Sequence, residues 1–86
     1  MTRLWPNGEE IAVIVDAQGQ PIAFDWQRRR YRLQHIQQRW QIDSDWWSED
    51  GRVWRSYLAV TTENGLFCVL YYDMLAEAWY LEKLYD

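Results

Sequence analysis

Cysteine is nearly absent: Cys68 is the only one among 86 residues. That excludes an internal disulfide and a thiolate metal cluster, and small secreted domains of this size usually carry several cysteines. Histidine is equally scarce, so a Ser/His/Asp arrangement has only His35 to build on, and no Gly-x-Ser-x-Gly elbow accompanies it. One Cys and one His far apart in the chain give no zinc-ligand spacing. The four glycines, Gly8, Gly19, Gly51 and Gly65, are scattered singly and read as turn residues, with no glycine-rich phosphate loop. Long apolar runs are missing too. None exceeds Leu66–Tyr72, far short of the ~20 residues that span a bilayer as a helix. Met1 to Glu10 holds a single basic residue and no apolar core of a secretory leader. The expectation is a cytoplasmic protein without a membrane partner, a cofactor, a metal, catalytic residues or an indicated small-molecule substrate. Basic charge is also in deficit, with nine Lys and Arg against thirteen Asp and Glu, a net charge of −4 and a pI near 4.8. Attraction to nucleic acid over the whole surface is therefore not expected.

Apolar and aromatic residues are present in quantity. They make up 49% and 17% of the chain, enough to offset the entropy of ordering one domain over residues 1–86, although mean hydropathy is only −0.55. Glu10 to Val15 is β-branched and lies between Pro6-Asn7-Gly8 and Asp16 to Pro21, which reads as a strand ending in a hairpin turn. Pro21 to Trp26 alternates Ile22, Phe24 and Trp26 with Ala23 and Asp25, the period of a half-buried strand. Tyr31 and Leu33 keep that alternation, whereas Ile36, Trp40 and Ile42 continue it differently, so a β-bulge is expected near Gln34-His35. A competing helix over Arg28 to Gln41 is supported by Leu33, Ile36 and Trp40 at i, i+3 and i+7. Asp43 to Gly51 reads as a polar turn carrying a Trp pair.

Arg52 to Thr62 is dense in β-formers, and Asn64-Gly65 signals a type I′ hairpin into Leu66–Tyr72, whose continuous apolar character predicts burial on both faces. Asp73 to Ala78 reads as a turn or a single helical turn, and Trp79 to Tyr85 as the last strand. Together these predict an all-β fold of about six antiparallel strands in a meander, forming a small barrel or a strongly twisted sheet.

Seven Trp, six Tyr and two Phe exceed what so small a core takes up, because each buries ~150 to 250 Å². The surplus predicts an interface. Trp, Tyr and Arg are enriched in binding hot spots. Trp46, Trp47, Arg55, Tyr57 and Trp79 are the candidate contact residues for a protein partner or for self-association, with Trp26 and Tyr31 assigned to the core. The alternative is a single-stranded nucleic-acid binder in which Arg28, Arg29, Arg30 and Arg32 hold phosphates and Trp46 or Trp47 stacks on bases. For Cys68, inside an apolar strand, the expectation is a small buried hydrophobe.

In order along the chain stand Pro21-x-x-Phe24-x-Trp26, Arg30-Tyr-Arg-Leu33, Arg39-Trp40, Asp45-Trp-Trp47, Arg52-x-x-Arg55-x-Tyr57 and Ala78-Trp-Tyr-Leu-Glu-Lys-Leu-Tyr-Asp86. This string resembles an uncharacterised bacterial domain family of small standalone proteins. It is also similar to the C-terminal tail of ImuB-like proteins, inactive relatives of Y-family DNA polymerases. The resemblance spans residues 21–86 and leaves 1–20 outside. It implies a noncatalytic accessory module linked to DNA repair by translesion synthesis. The chain departs from ImuB-like proteins in having no polymerase fold, no little-finger domain and no clamp-binding motif.

Overall fold

A computed structural model describes residues 2–44 and 53–85. Six strands follow one another, β1 (Thr2–Val15), β2 (Pro21–Trp26), β3 (Arg29–Ser44), β4 (Val53–Thr62), β5 (Phe67–Asp73) and β6 (Ala78–Tyr85). Each pairs antiparallel with the next, and β1 returns to β6, so the meander closes into a barrel. The span read as a competing helix, Arg28 to Gln41, is strand apart from the turn residue Arg28. Tertiary pairing with β2 and β4 overrides the local helical spacing of Leu33, Ile36 and Trp40. Of the span Asp73 to Ala78, residues 74–77 are a turn between the paired strand ends Asp73 and Ala78, with the Asp73 carboxylate accepting from the amides of Leu75 and Ala76 at 2.9 and 3.1 Å.

Two long strands belong to two sheets each. β1 pairs with β6 through Thr2–Ile11 and with β2 through Ala12–Val15. β3 pairs with β2 through Arg29–Arg32 and with β4 through Leu33–Ser44. The register of β3 slips between Leu33 and His35, at the expected bulge, and again between Ile36 and Gln38. Such slips bend a strand and raise its twist, which lets one strand turn the corner of a small barrel. A larger irregularity interrupts β1 between Leu4 and Glu9.

The turns redistribute the expected chemistry. Asn64-Gly65 does not form a type I′ turn, because Asn64 stays at negative φ while only Gly65 is left-handed, at 88°. The fully buried Thr62 organises that loop instead. Its hydroxyl reaches Asn64 Oδ1 at 2.5 Å and accepts from the Leu66 amide at 3.0 Å, and its carbonyl accepts from the Gly65 amide at 3.0 Å. The two-residue turn with both φ positive lies between β2 and β3, at Gln27 (51°) and Arg28 (64°).

Phe24, Trp26, Tyr31, Leu58, Val60, Cys68, Leu70, Leu81 and Leu84 fill the barrel, with Ile11 beside them. Trp26 and Tyr31 are core residues, as expected. Burial of Cys68, Val69, Leu70 and Tyr71 covers both faces of β5. The face opposite the barrel core is itself apolar, because Tyr57, Val69 and Tyr71 form a second cluster with Trp40 and Tyr80 packed against it.

Candidate functional site

Strand alternation puts Tyr57 and Arg55 on the outside of β4, since Leu58 and Val60 point into the barrel. Pairing then aligns one aromatic per strand. Trp40 faces Tyr57, Tyr57 faces Tyr71, and Tyr71 faces Tyr80. The rings form a row across four strands, with centroid separations of 5.2, 5.1 and 5.2 Å and interplanar angles of 6°, 37° and 20°. Tyr71 is 1% exposed and donates from its hydroxyl to the Asn7 carbonyl at 3.2 Å, so the β1 irregularity covers that part of the row. Arg55 closes it from above. Its guanidinium carbon lies 4.5 Å from the Tyr71 ring centroid, and Nη1 donates to the Tyr57 hydroxyl at 3.2 Å. Burial works against the Arg55 charge. The Tyr57 hydroxyl as acceptor, with Tyr71, Tyr57 and Asp73 as neighbours, outweighs it and raises the pKa above the ordinary value. Its Nε, 3.9 Å from Asp73 Oδ2, is buried and has no hydrogen-bond partner in the structure.

The row is therefore packed material more than an open platform. Tyr57 and Tyr71 already use their ring faces on one another, which leaves no room for a base to stack between them. Trp40 ends the row. One face lies on Tyr57, and the indole is half-buried.

Trp79 is not part of this surface. It packs against the barrel core and meets Tyr72 edge-on at 5.2 Å and 61°. With Pro21, Arg39, Ser56 and Met74 these two rings line an open mouth of about 320 Å³ at the barrel end formed by the β1–β2 and β5–β6 turns. Among the expected contact residues, Arg55 and Tyr57 thus meet, Trp79 sits on the opposite face, and Tyr57 is only 5% exposed. Trp46 and Trp47 lie outside the described residues.

The arginine cluster occupies the opposite barrel end, on the β2–β3 hairpin. Arg28, Arg29, Arg30 and Arg32 are all exposed. Arg30 grips Asp25 through two hydrogen bonds of 2.8 and 3.1 Å, which hold the Asp25 carboxyl below its ordinary pKa. Arg29 lies 5.7 Å from the Tyr31 ring centroid, but that ring is buried and stacked on Phe24 at 5.2 Å. The hairpin offers cations to phosphate without offering a ring to a base. Cys68 is fully buried, and desolvation pushes its thiol up to about 12. Among the described residues no group of three or more His, Cys, Asp and Glu side chains is placed to hold a metal ion, and no helix is long and apolar enough to cross a membrane.

The sequence reading had no signal for one further feature. From Gln34 to Ser44, β3 has β4 along one side, and no described strand runs along the other. After the second bulge, Gln38–Ser44 pairs with Val53–Ala59 in unbroken register, and among the described residues no strand lies against the other side of Gln38–Ile42. The opposite edge of the same sheet, the first half of β1, is interrupted by Pro6 and by the break between Leu4 and Glu9.

A family model described as Domain of unknown function (DUF6504) matches residues 6–86. The chain belongs to this family. The DUF6504 match includes most of β1, which the resemblance over residues 21–86 left outside. No curated protein and no solved structure matches this DUF6504 chain.

Proposed function

We propose that this DUF6504 domain is a noncatalytic interaction module that takes up an extended protein segment along the open edge of β3. The observation that carries this reading is the unbroken stretch Gln38–Ile42, paired with β4 on one side with no described strand along the other, and carrying Trp40 and Ile42, the latter 40% exposed. Strand addition supplies main-chain hydrogen bonds for affinity, and alternate side chains supply selectivity. The similarity to the tails of ImuB-like proteins directs the search for a partner toward bacterial translesion synthesis, with the domain as an accessory in DNA repair.

Peptides selected from a display library on the immobilised domain test this reading. Bound peptide is expected to protect the backbone amides of Gln38–Ile42 from hydrogen exchange. A selection that yields no binder, or a footprint elsewhere, overturns it. The nucleic-acid alternative keeps one observation in its favour, the exposed Arg28, Arg29 and Arg32 on one hairpin. Salt-sensitive binding of a single-stranded oligonucleotide that is lost on replacing these three by Ala would establish it in place of the peptide reading.

A further inference from the structure

We propose that the barrel end at which Arg3 of β1 joins Arg28, Arg29 and Arg32 of the β2–β3 hairpin is a contact site for the phosphate backbone of double-stranded nucleic acid. The site goes beyond the β3 edge and uses other residues, so the two stand or fall separately.

Arg3 is far from the arginine run in sequence. Barrel closure brings it there, because Arg3 pairs with Leu84 near the end of β6 and its guanidinium carbon lies 5.9 Å from the Trp26 ring centroid. Arg29 lies 5.7 Å from the centroid of Tyr31, and those two rings are 6.0 Å apart. One pair of rings thus seats two cations, and seating on a ring orients a guanidinium while its N–H donors stay available to an anion. With Arg30, five of the nine basic residues gather at one end of a chain whose net charge is −4. The acidic remainder of the surface turns this end toward a polyanion.

Two open hollows lie side by side on the hairpin, since both are lined by Arg29 and Arg30. One, of about 350 Å³, adds Arg32, Glu63 and Asn64, and the other, of about 440 Å³, adds Arg28 and Asp25. Adjacent seats for anions suit a polymer that presents its charges in succession, and a duplex carries one phosphate charge per ~1.7 Å of its axis. The rings decide between duplex and single strand. Single-strand binders stack bases on exposed aromatics. Trp26 and Tyr31 are 6% and 8% exposed and lie beneath Arg3 and Arg29, so a base does not reach them. A duplex keeps its bases paired and asks only for cations at its phosphates, and a two-stranded ribbon fits the width of its major groove.

Fluorescence anisotropy of a labelled short DNA duplex, and of one of its strands alone, titrated with the full chain over a salt series tests the proposal. Arg30 is held by Asp25, which leaves Arg3, Arg28, Arg29 and Arg32 for phosphates. The logarithm of the association constant should therefore fall against log salt with a slope of about −3 to −4. Arg3→Ala and Arg32→Ala should each flatten that slope by about one, whereas Asp25→Asn, which releases Arg30, should steepen it by about one. Arg28→Gly removes a contact and relieves a left-handed residue at φ 64°, so it should weaken binding while raising Tm, which separates loss of contact from loss of fold. Absence of binding at low salt, or a slope that none of these replacements changes, overturns the proposal. A single strand bound more tightly than the duplex overturns it in favour of the stacking alternative, and displacement of the duplex by poly-glutamate at equal charge overturns it in favour of an acidic protein surface. Peptide protection of Gln38–Ile42 is read independently of these outcomes.

Discussion

Gly8 shows how tightly one position can be bound to the aromatic row. It sits at φ 75°, and an added Cβ would fall on the Tyr71 hydroxyl and 2.9 Å from Tyr80 Cβ. Gly8→Ala combines left-handed strain with overpacking, and its expected cost is about 2 to 4 kcal/mol, read as a lower urea midpoint. Cys68 gives a pH dependence whose sign follows from burial. Its thiol ionises near 9.0 when unfolded but is held up to about 12 in the barrel, so the folded state keeps a proton that the unfolded chain releases. The contribution is fully present below pH 9 and is lost as pH rises toward 12. Wild-type stability should therefore fall more steeply between pH 8.5 and 10.5 (roughly the range where the unfolded thiol titrates) than that of Cys68→Ala, measured by urea unfolding. Burial of Cys68 could be read from its place in an apolar strand. The role of Gly8 could not, because its neighbours Tyr71 and Tyr80 are distant in the chain.

Strands were legible where period-2 alternation was clean and turns where composition was specific, but turn geometry depended on contacts beyond the turn. Asn64-Gly65 carried the stronger type I′ signal, yet Thr62 draws that loop into another form. Gln27-Arg28, with neither Gly nor Asn, adopts two positive φ angles because Trp26 and Arg29 must pair directly across the hairpin. Relief of that strain makes Arg28→Gly an expected stabilising change of about 1 kcal/mol, which in a domain of this size raises Tm by about 4 to 8 °C in a thermal melt. The arginine run itself was visible in the sequence. That Arg30 is tied to Asp25, and that Tyr31 turns inward beneath Arg29, followed only from the register of β2 on β3.

The whole barrel is held shut by one seam, the pairing of β1 with β6. The segment 2–9 supplies four of its paired residues, Thr2, Arg3, Leu4 and Glu9, together with Trp5, whose ring meets Trp26 edge-on at 5.6 Å. Glu9 also accepts a hydrogen bond from the Trp26 indole. A chain lacking residues 1–9 is expected to lose its cooperative thermal transition and to bind the dye ANS, since the opened sheet exposes core and unpaired edge together. Retention of a sharp melt by far-ultraviolet circular dichroism would show that the seam is dispensable.

Composition and alternation by themselves determined an all-β domain of about six strands with Trp26, Tyr31 and Cys68 inside, because burial on one face of a strand leaves a local, period-2 record in the chain. The grouping of Arg55 with Tyr57, the exclusion of Trp79 from their face, the four-ring row and the stretch Gln38–Ile42 with no described strand beside it were decided by tertiary structure alone. Each of these depends on which residue of one strand stands opposite which residue of another. That register is set by bulges and by barrel closure, where a slip of one position sends a side chain to the other face.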